Sequence, residues 1–520
     1  MSALVTDQFR IVNANNFVSS VENSLNSYYV FVGLSNPTAV GFGRTSSWDT
    51  IPPNPIDNFD YLNHNKSTIL FGKKITSANI RRVIRKIDWI SGKRYDMYRP
   101  DYSITNPAPN SKSLRLYDAE YYVINSDYKV YICIDNGSTG INTTGNASIV
   151  EPKFTDLEPS ISSDGYVWKY LYTISPSDVI KFDSTEYISV PNNWETSTDP
   201  QISAVRENGN SLINENQIKK VFIKNKGLGY PIQLTQSCRI VGDGSGGTVT
   251  VELDSNDNSI SNVTVTSGGK GYTYALIDLG IGSSPPTINA ELIPIIPPSN
   301  GHGFDIYKEL GTDKILIYAR FDDSTKDFPI DSKFSQIGIL KNPTVYDSTE
   351  ISNEIYDNND FSGVYAMRFD STPTGVVSVG DEITQITSSG KKATAYVASY
   401  DEETKVLKYY KDRSLYLTDG LTYTDRAGIG TFFDSTGKEI SFESGVSITT
   451  VGGFSGTIGN FSGITTTIGN KIINLGVEFE NGLALPEINN KSGEIIYIDN
   501  RPTVTRNSRQ KEDVKIILEF

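Results

Sequence analysis

The chain has 520 residues, a formal net charge of −14 and a hydrophobic content of 37%, which together predict about three soluble domains. The negative charge disfavours binding to nucleic acid, and the lack of any run of roughly 18 apolar residues argues against a membrane span. Two isolated cysteines and two histidines form no zinc pattern, and we expect no secretory signal in the first residues.

The aromatic composition gives a first structural indication. The chain carries 30 tyrosines but four tryptophans, together with 43 glycines. Tyrosine favours strands and glycine favours turns, so we expect a chain rich in β-structure. Tyrosine also supplies area and a hydroxyl in large protein–protein interfaces. Interface surfaces and half-buried strand faces both explain this composition, and both interpretations stay open.

The first predicted elements are a helix and a strand. The apolar residues of FRIVNANNFVSSV (9–21) have loosely helical spacing, which predicts a short N-terminal helix. SYYVFVGL (27–34) follows as a predicted strand, and a turn around Pro37 leads into a second extended piece.

A second helix is predicted at TSANIRRVIRKIDW (76–89). Its apolar residues from Ile80 to Ile87 recur at i, i+3, i+4 and i+7, and Thr76 or Ser77 can cap the first turn. Two interpretations stay open for the opposite face, a solvated surface or a docking face for an acidic neighbour. That face would carry Arg81, Arg82, Arg85 and Lys86.

Period-two alternation then predicts a run of strands. AEYYVINSDYKVYICIDN (119–136) holds two alternating stretches separated by NSDY, which predicts a β-hairpin. GYVWKYLYTI (165–174) and TEYISVP (185–191) are predicted as two further strands punctuated by prolines.

A duplicated β unit follows residue 208. IKKVFIKNKGLGY (218–230) and ISNVTVTSGGKGY (260–272) align with a constant offset. Each is an alternating strand that runs into a glycine turn closed by tyrosine. Self-similarity of this kind indicates a repeated structural unit, so we expect a separate β module that begins here.

The later sequence is again strand-like. VVSVGDEITQI (376–386) and KKATAYVASY (391–400) alternate well, and GFSGTIGNFSGITTTIGN (453–470) is typical of an exposed loop or flexible tip. Because few long helical windows occur anywhere, we predict a mainly antiparallel β protein.

Two motifs suggest ligands, and their context argues against both. GDGSGG (242–247) satisfies the dinucleotide pattern G-x-G-x-x-G, but that site needs a helix next, and TVTVEL (248–253) predicts a strand. DSNDNS (254–259) begins like a calcium loop. Since Ser259 replaces the turn glycine and Val265 the bidentate glutamate, we expect a hairpin tip instead.

Catalytic chemistry has little support. The two histidines are His64 and His302, and no G-x-S-x-G elbow occurs. A glycosidase needs only two carboxylates about 5–10 Å apart, which sequence cannot test for any given pair. We therefore expect no enzyme, no metal site and no cofactor.

The end of the chain carries the first of several motifs that resemble a known family. SGEIIYIDNRP (492–502) and DVKIILEF (513–520) combine a Gly-Glu, a tyrosine in an alternating strand, an Asn-Arg-Pro turn and a last apolar strand. This pattern resembles the C-terminus of the baseplate wedge subunit of myoviruses, the contractile-tailed bacteriophages. The matching positions are Gly493, Glu494, Tyr497, Asn500, Arg501, Pro502 and Phe520.

Further motifs resemble the family in the same order along the chain. They are FGRTSSW (42–48), IDW (87–89), VYICID (130–135), DGYVWKYLYTISP (164–176), TEYISVP (185–191) and KFSQIGILKNP (333–343). Residues 209–299 and 351–485 have no counterpart in shorter family members. The chain resembles the longer versions found in myoviruses of cyanobacteria.

The resemblance implies an architecture. We expect an antiparallel, Greek-key-like β-sandwich core with a few short helices, formed by residues 1–208, 300–350 and 486–520. Residues 209–299 and 351–485 would be two inserted β modules, the second with a Gly/Thr-rich tip. The C-terminal residues would then return as a buried strand that closes a sheet begun near the N-terminus.

The resemblance also implies a structural role. We expect a homodimer in the virion tail baseplate, assembled in the host cytoplasm, that contacts other wedge proteins and neither nucleic acid nor membrane. It would move with the baseplate when sheath contraction is triggered. The structural or interface candidates are Arg44, Trp48, Asp164, Trp168, Tyr172, Glu494, Tyr497 and Arg501.

Two of these candidates carry a more specific expectation, and one alternative function stays open. Trp168 lies mid-strand and favours a core position, and Arg501 can pair with a carboxylate of the fold. The alternative is a receptor- or carbohydrate-binding tail protein that uses the inserted modules. Its sign would be clustered exposed aromatic side chains on those modules.

Overall fold

The computed structural model describes most of the chain. Strands hold 39% of the residues and helices 12%, and the sheets are antiparallel, so the predicted mainly β class is confirmed. The described residues are 6–34, 48–231, 237–281, 284–322, 333–347, 352–412, 440–463, 467–506 and 510–520.

Helices and strands are numbered in chain order. The helices are α1 (Asp7–Glu22), α2 (Phe59–Ser67), α3 (Pro176–Phe182), α4 (Pro200–Asn216) and α5 (Ile306–Leu310). The earlier strands are β1 (Tyr28–Leu34), β2 (Ile69–Ile75), β3 (Ile80–Arg85), β4 (Tyr122–Ile124), β5 (Lys129–Asp135), β6 (Ser160–Ile161), β7 (Val167–Thr173), β8 (Tyr187–Val190), β9 (Val221–Asn225), β10 (Ser237–Gly242), β11 (Ser245–Leu253), β12 (Ile260–Lys270), β13 (Ala275–Asp278) and β14 (Glu291–Pro294). The later strands are β15 (Lys314–Asp322), β16 (Lys333–Lys341), β17 (Asp360–Ser362), β18 (Tyr365–Arg368), β19 (Glu382–Ile386), β20 (Lys392–Asp401), β21 (Val406–Tyr410), β22 (Ser447–Thr450), β23 (Ser455–Thr457), β24 (Thr467–Ile468), β25 (Lys471–Ile472), β26 (Leu483–Ala484), β27 (Glu494–Thr505) and β28 (Lys511–Glu519).

The chain divides into two compact units, and each is assembled from separated stretches. The first unit comprises Met1–Asn16, Arg81–Leu316 and Ile517–Phe520, and the second comprises Phe17–Ile80 and Ile317–Ile516. The chain therefore passes from one unit to the other after Asn16, Ile80, Leu316 and Ile516. The predicted division into a wedge core and two inserted modules stays a prediction.

The first unit contains a four-stranded sheet with the order β4-β5-β7-β6. β4 and β5 form the predicted hairpin, and β7 pairs with β5 at the predicted strand GYVWKYLYTI. β8, the other predicted strand, pairs with β3. A second sheet in this unit has the order β12-β11-β10-β13.

Tyrosines fill the core of the first unit. Tyr121, Tyr131 and Tyr166 are each 0% exposed. Each buried hydroxyl finds a backbone acceptor, as burial of this polar group requires. Tyr121 donates to the carbonyl of Glu309 at 2.6 Å and Tyr131 to that of Phe154 at 2.6 Å. The abundant tyrosine of this unit thus serves packing inside the fold.

The predicted helix at 76–89 is wrong. Thr76 does cap a short 3₁₀ turn at Ser77–Asn79, but the following residues form strand β3. β3 is buried along nearly its whole length, so its apolar residues need not alternate. An i, i+3, i+4 spacing therefore fits this buried strand as well as a helix, and its β-branched side chains favour the strand.

The duplicated segments share their turn but differ in strand pairing. β9 pairs with β14, whereas β12 pairs with β11. Gly229 and Gly271 both have positive φ, +73° and +76°, a conformation that glycine adopts readily. The tyrosines that follow them are both buried at 2% exposure. GDGSGG joins β10 to β11, so a strand follows it, as predicted.

The second unit contains a five-stranded sheet with the order β17-β2-β1-β16-β27. β1 is buried throughout and pairs with β2 on one side and β16 on the other. β27 pairs with β16, so the C-terminal segment does extend a sheet begun by β1, as predicted. The predicted burial of this segment is wrong, since β27 is a half-exposed edge strand and β28 alternates buried and exposed residues.

The predicted turn at Asn-Arg-Pro is also wrong. Asn500, Arg501 and Pro502 lie inside β27. Gln336 pairs with Asn500 and Phe334 with Val504, so a step of two residues in β16 faces a step of four in β27. β27 therefore bulges here. A proline has no N–H for the ladder and is tolerated at a bulge on an edge strand.

A seven-stranded sheet forms the other part of the second unit, in the order β23-β22-β19-β20-β21-β18-β26. β19 and β20 correspond to the predicted strands VVSVGDEITQI and KKATAYVASY. Its core includes Met367, Phe369, Leu407 and Ile448, each 0% exposed.

Candidate interaction sites

Strand β7 places two of the predicted residues in the core of the first unit. Trp168 is 0% exposed, stacks on Tyr166 with ring centres 5.2 Å apart and meets Tyr95 edge-on at 5.9 Å. Tyr172 is 2% exposed, and its hydroxyl donates to the carbonyl of Ser189 at 3.2 Å. Trp168 thus has the core position that its place in the strand predicts, and both residues serve packing.

Asp164 organises a surface loop before β7. Its Oδ2 accepts hydrogen bonds from the backbone amides of Ile149 at 2.8 Å and Val150 at 3.0 Å. Its Oδ1 accepts one from the Ser162 hydroxyl and one from the amide of Tyr166 at 3.2 Å. One carboxylate therefore joins two segments of the surface.

These hydrogen bonds favour the ionised form of Asp164. Partial burial raises the pKa of its carboxyl, but the bonds from Ser162, Val150 and Ile149 outweigh burial and hold that pKa below its ordinary value. The charge of Asp164 is thus stabilised by hydrogen bonds from the loop itself, and the carboxylate holds that loop together.

Trp48 attaches the segment before α2 to strand β27 of the second unit. Its ring is buried, and its Nε1 donates to the carbonyl of Arg501 at 2.9 Å. The neighbouring Asp49 accepts a hydrogen bond from the amide of Thr503 at 2.8 Å. These contacts cover the bulge of β27. Arg44, the other candidate in this segment, lies outside the described residues.

The three remaining candidates lie along β27 with part of their surface accessible. The Nε of Arg501 lies 2.6 Å from Oδ2 of Asp499, so it pairs with a carboxylate of the fold, as predicted. Tyr497 is half-buried, and Glu494 is exposed at the first residue of the strand. These three residues belong to the second unit, whereas Asp164, Trp168 and Tyr172 belong to the first.

A buried amide network anchors β27 from beneath. Asn500 is 6% exposed, and its Oδ1 accepts from Nε2 of Gln336 at 2.9 Å. Its Nδ2 donates to the carbonyl of Pro53 at 2.8 Å. Gln336 also donates to Oδ1 of Asn65 at 2.9 Å. These hydrogen bonds tie β27 to β16 and to the segment at Pro53, so Asn500 is a positioning residue for the edge strand.

The predicted basic cluster is paired within the first unit. Because β3 is a strand, its basic side chains point to both of its faces instead of forming one surface. The guanidinium of Arg82 lies 4.2 Å from the ring centre of Tyr307. The other partners are Asp178 for Arg81 at 2.9 Å, the Asp118 carbonyl for Arg85 at 2.8 Å and Asp183 for Lys86 at 3.1 Å. The four basic side chains therefore do not form one exposed surface, although Arg85 itself is exposed.

Both histidines pair with buried carboxylates. His302 Nδ1 lies 2.5 Å from Oε1 of Glu309, and the other oxygen of Glu309 accepts from the amide of Gly303 at 2.7 Å. His64 pairs with Asp412, and both side chains are 1% exposed. Across the described ranges, no group of three or more His, Cys, Asp or Glu could hold a metal ion. No helix in these ranges is long and apolar enough to cross a membrane.

Lys408 is a buried charge that the sequence did not reveal. It lies in β21, is 7% exposed, and its Nζ has no hydrogen-bond partner among the described residues. The Nζ lies 4.8 Å from the ring centre of Phe71. Burial lowers the pKa of Lys408 to about 7, although Asp401 opposes that shift. The strand pattern VLKYY gives no signal that a second layer covers this lysine.

Two comparisons identify similar proteins. A protein-family model described as Bacteriophage T4, Gp8 matches residues 154–234. Baseplate wedge protein gp8 of Enterobacteria phage T4 is 27% identical over 232 residues, which cover 38% of this chain and 63% of the phage protein. The match therefore spans less than two thirds of that relative. The predicted resemblance to a baseplate wedge subunit of contractile-tailed bacteriophages is confirmed.

Proposed function

We propose that this chain, which resembles baseplate wedge subunits of contractile-tailed bacteriophages, is a structural component of a phage tail baseplate. The observation that carries the proposal is its similarity to the phage T4 wedge protein over 232 residues. The proposed location is the virion tail, reached after folding in the host cytoplasm. The proposed role involves binding and positioning, without catalysis.

The segment that matches the family model has the properties of a rigid scaffold. Residues 154–234 include β6 to β9, α3 and α4. Trp168, Tyr170 and Leu171 within it are each 1% exposed or less. Close-packed rings have few alternative arrangements, so the segment holds its surface loops at fixed geometry. Fixed geometry is what a subunit needs when it positions several neighbours.

We extend the proposal to the assembly. The chain forms a homodimer within each wedge, contacts other wedge proteins and moves as a body when the baseplate rearranges before sheath contraction. The support for this extension is the family resemblance. The net charge of −14 additionally favours contact with basic surfaces of partners.

The test is quantitative mass spectrometry of tails purified from phage particles that carry this chain. We expect the chain in baseplates, in a fixed ratio of two copies per wedge. Cross-linking mass spectrometry on the same particles should give contacts both to a second copy and to other proteins. Detection in infected-cell lysate but not in purified tails would contradict the proposal.

Within the described residues, the alternative of a receptor- or carbohydrate-binding protein does not show its expected sign. That function predicts clustered exposed aromatic side chains on residues 209–299 and 351–485. Within the described part of these two segments, Tyr274 is the one aromatic side chain among the exposed large hydrophobic residues, at 58% exposure. A single ring offers no extended stacking platform, so the scaffold function is preferred.

A further inference from the structure

A cleft in the first unit opens beside strand β7. Its volume is about 410 Å³, which suits a small ligand or a short peptide segment. One wall is the end of β7, and the other walls come from β8 and from the starts of α3 and α4. All lining residues lie between 155 and 202, inside the segment that the family model matches. We call this space the β7 cleft, lined among others by Tyr170, Thr173, Asp178, Asp199 and Gln201.

Strand β7 is paired along its whole length on one side only. β5 pairs with it there from Val167 to Thr173. On the other side β6 has two residues, which pair with Val167 and Trp168. Beyond Trp168, this second edge of β7 has no neighbouring strand among the described residues. An unpaired strand edge is a template for another extended chain.

The backbone of Thr173 points to the unpaired side. The amide of the next residue, Ile174, donates to the carbonyl of Tyr128 at 2.9 Å, so Ile174 points towards the segment of β5. Successive residues of an antiparallel strand direct their N–H and C=O groups to opposite sides. The N–H and C=O of Thr173 therefore point away from β5, into the side that the cleft occupies.

The backbone of Tyr170 points the same way. In β5, the amide of Cys133 donates to the carbonyl of Tyr121 at 2.8 Å, on the side of β4. By alternation, Tyr131 also points towards β4. Tyr170 lies opposite Tyr131, so its N–H and C=O point away from β5.

These backbone groups define what the cleft can bind. In the described part of the chain, neither Tyr170 nor Thr173 has a backbone hydrogen bond on this free side. An extended polypeptide satisfies such groups by pairing as an added strand. An extended chain rises roughly 3.3 Å per residue, so the stretch from Tyr170 to Thr173 matches three or four residues of a partner.

The carboxylate of Asp199 sets the charge that the cleft favours. It caps α4 and accepts hydrogen bonds from the amides of Gln201 at 2.9 Å and Ile202 at 3.1 Å. Because the protein's own carboxylate occupies this helix N-terminus, an anionic ligand would meet a like charge there. Asp199 is exposed and has no ion pair among the residues that the structure describes.

The cations on the neighbouring elements are already engaged. Lys181 of α3 has a partner within the chain. The other partners are Asp178 for Arg81 at 2.9 Å, the Leu157 carbonyl for Lys169 at 2.8 Å and the Glu195 carbonyl for Arg206 at 2.8 Å. Asp156, next to the lining residue Thr155, is an exposed carboxylate. A lysine or arginine of a bound segment therefore complements the cleft, and a different protein supplies it better than a chain of net charge −14.

We propose that the β7 cleft binds an extended segment of another protein of the baseplate, which adds a strand to β7 and places a lysine or arginine beside Asp199. This inference rests on the proposed function, since the baseplate supplies the partner.

The first test identifies the occupant by cross-linking. A photo-reactive phenylalanine analogue replaces Gln201, an exposed residue of the lining, in otherwise wild-type particles. We expect a cross-link to a different baseplate protein, at a segment in which lysine and arginine outnumber aspartate and glutamate. The same analogue at Ile104, which is 82% exposed and lies outside the cleft, should not give this product. Cross-links solely to a second copy of this chain, or to an acidic segment, would overturn the proposal.

The second test removes the charge and keeps the helix cap. Asparagine caps helices as well as aspartate does, so Asp199→Asn should leave the fold intact. We expect the yield of the Gln201 cross-link to fall about fivefold in this variant, because the bound cation loses its carboxylate. The matched control is Asp305→Asn, which alters the N-cap carboxylate of α5 and should leave the yield unchanged. An unchanged yield in Asp199→Asn would overturn the proposal.

Hydrogen exchange tests the added strand without any substitution. Thr173 is exposed, and its amide points to the unpaired side, so it should exchange rapidly in the purified chain. In purified tails we expect its exchange to slow about tenfold or more, as measured by mass spectrometry of overlapping peptides. Equal exchange in both samples would overturn the added strand alone, whereas absence of the chain from tails would overturn the proposed function too.

Discussion

The surroundings of Lys408 disfavour its charged form, whereas those of Asp164 favour its charged form. The pKa of Lys408 falls from its ordinary value to about 7 because burial disfavours its charge. The unfolded chain then binds more protons, so stability rises with pH between about 7 and 10.5. The pKa of Asp164 is lowered by hydrogen bonds to its charged form, after burial has been overcome. The stabilisation that ionised Asp164 gives the folded protein is fully present at pH values above the pKa of this carboxyl in the unfolded chain. It is lost as the pH falls through the lower pKa of the folded protein.

Replacement of the buried ammonium should stabilise the protein. Lys408→Met keeps a long side chain beside Phe71 and removes the unpaired charge, so we expect a gain of about 1–3 kcal/mol at pH 7. The gain should shrink as the pH rises from about 7 towards 10.5, because the stability of the wild-type protein increases until the lysine of the unfolded chain also loses its proton. Thermal unfolding at pH 7 and pH 9.5 measures both effects. Lys392→Met, at an exposed lysine of β20, should change little, and a lower melting temperature for Lys408→Met at pH 7 would refute the argument.

Removal of the Asp164 charge should loosen its loop. Asp164→Asn weakens several hydrogen bonds at once, so we expect a loss of about 1–3 kcal/mol at pH 7. The difference from wild type should narrow as the solution is acidified below about pH 4, where the unfolded carboxyl is protonated. Urea unfolding at pH 7 and pH 3 provides the measurement. Asp156→Asn, at an exposed neighbour, is the control; an equal loss for both variants would count against the loop's dependence on Asp164.

At the scale of helices and strands, sequence patterns succeeded for several strands of the first unit. The hairpin β4–β5 and strands β7 and β8 were predicted from alternation and are present. β3 was assigned as a helix because its apolar residues from Ile80 to Ile87 recur at helical spacing, which a strand with most of its residues buried also permits. Helix α4 was not predicted, although Asp199 as N-cap and Pro200 at its first position are recognisable start signals. The bulge in β27 could not be foreseen, since it depends on a strand more than 150 residues away in sequence.

The sequence predicted less of the candidate site than of the helices and strands. Trp48 and Trp168 were among the candidates for structural or interface positions; both are buried, and their burial follows from partners elsewhere in the chain. The loop that Asp164 holds together has no sequence signature. Ile149 and Ile161 are isolated apolar residues in loop-like sequence, and the hydrogen bonds of Asp164 bring their segments together.

The edge strand β27 gives a prediction at this scale. Truncation after Asn490 removes β27 and β28 and leaves the backbone edge of β16 without its partner strand, so we expect an aggregated or unassembled product. Truncation after Thr505 keeps β27 and should give several-fold more soluble protein than truncation after Asn490. Size-exclusion chromatography of the two truncated chains makes the comparison. A soluble, dimeric and assembly-competent chain that ends at Asn490 would refute the requirement for β27.

At the scale of the whole molecule, charge and aromatic content have separate roles. The net charge of −14 favours contact with basic surfaces of other proteins. Ten tyrosines lie buried in the main core cluster of the first unit, where their rings pack closely. A scaffold subunit benefits from both, because it needs a stiff interior and a surface that discriminates between neighbours.

The repeated passage of the chain between the two units affects how the protein can be made. The second unit includes residues up to Ile516, and the first receives its last four residues only afterwards. At roughly 5–20 residues per second, the ribosome therefore works for about half a minute or more before either unit has all of its strands. Until β27 has been synthesised, β16 of the second unit keeps an open edge, so completion of this sheet waits for the C-terminal segment.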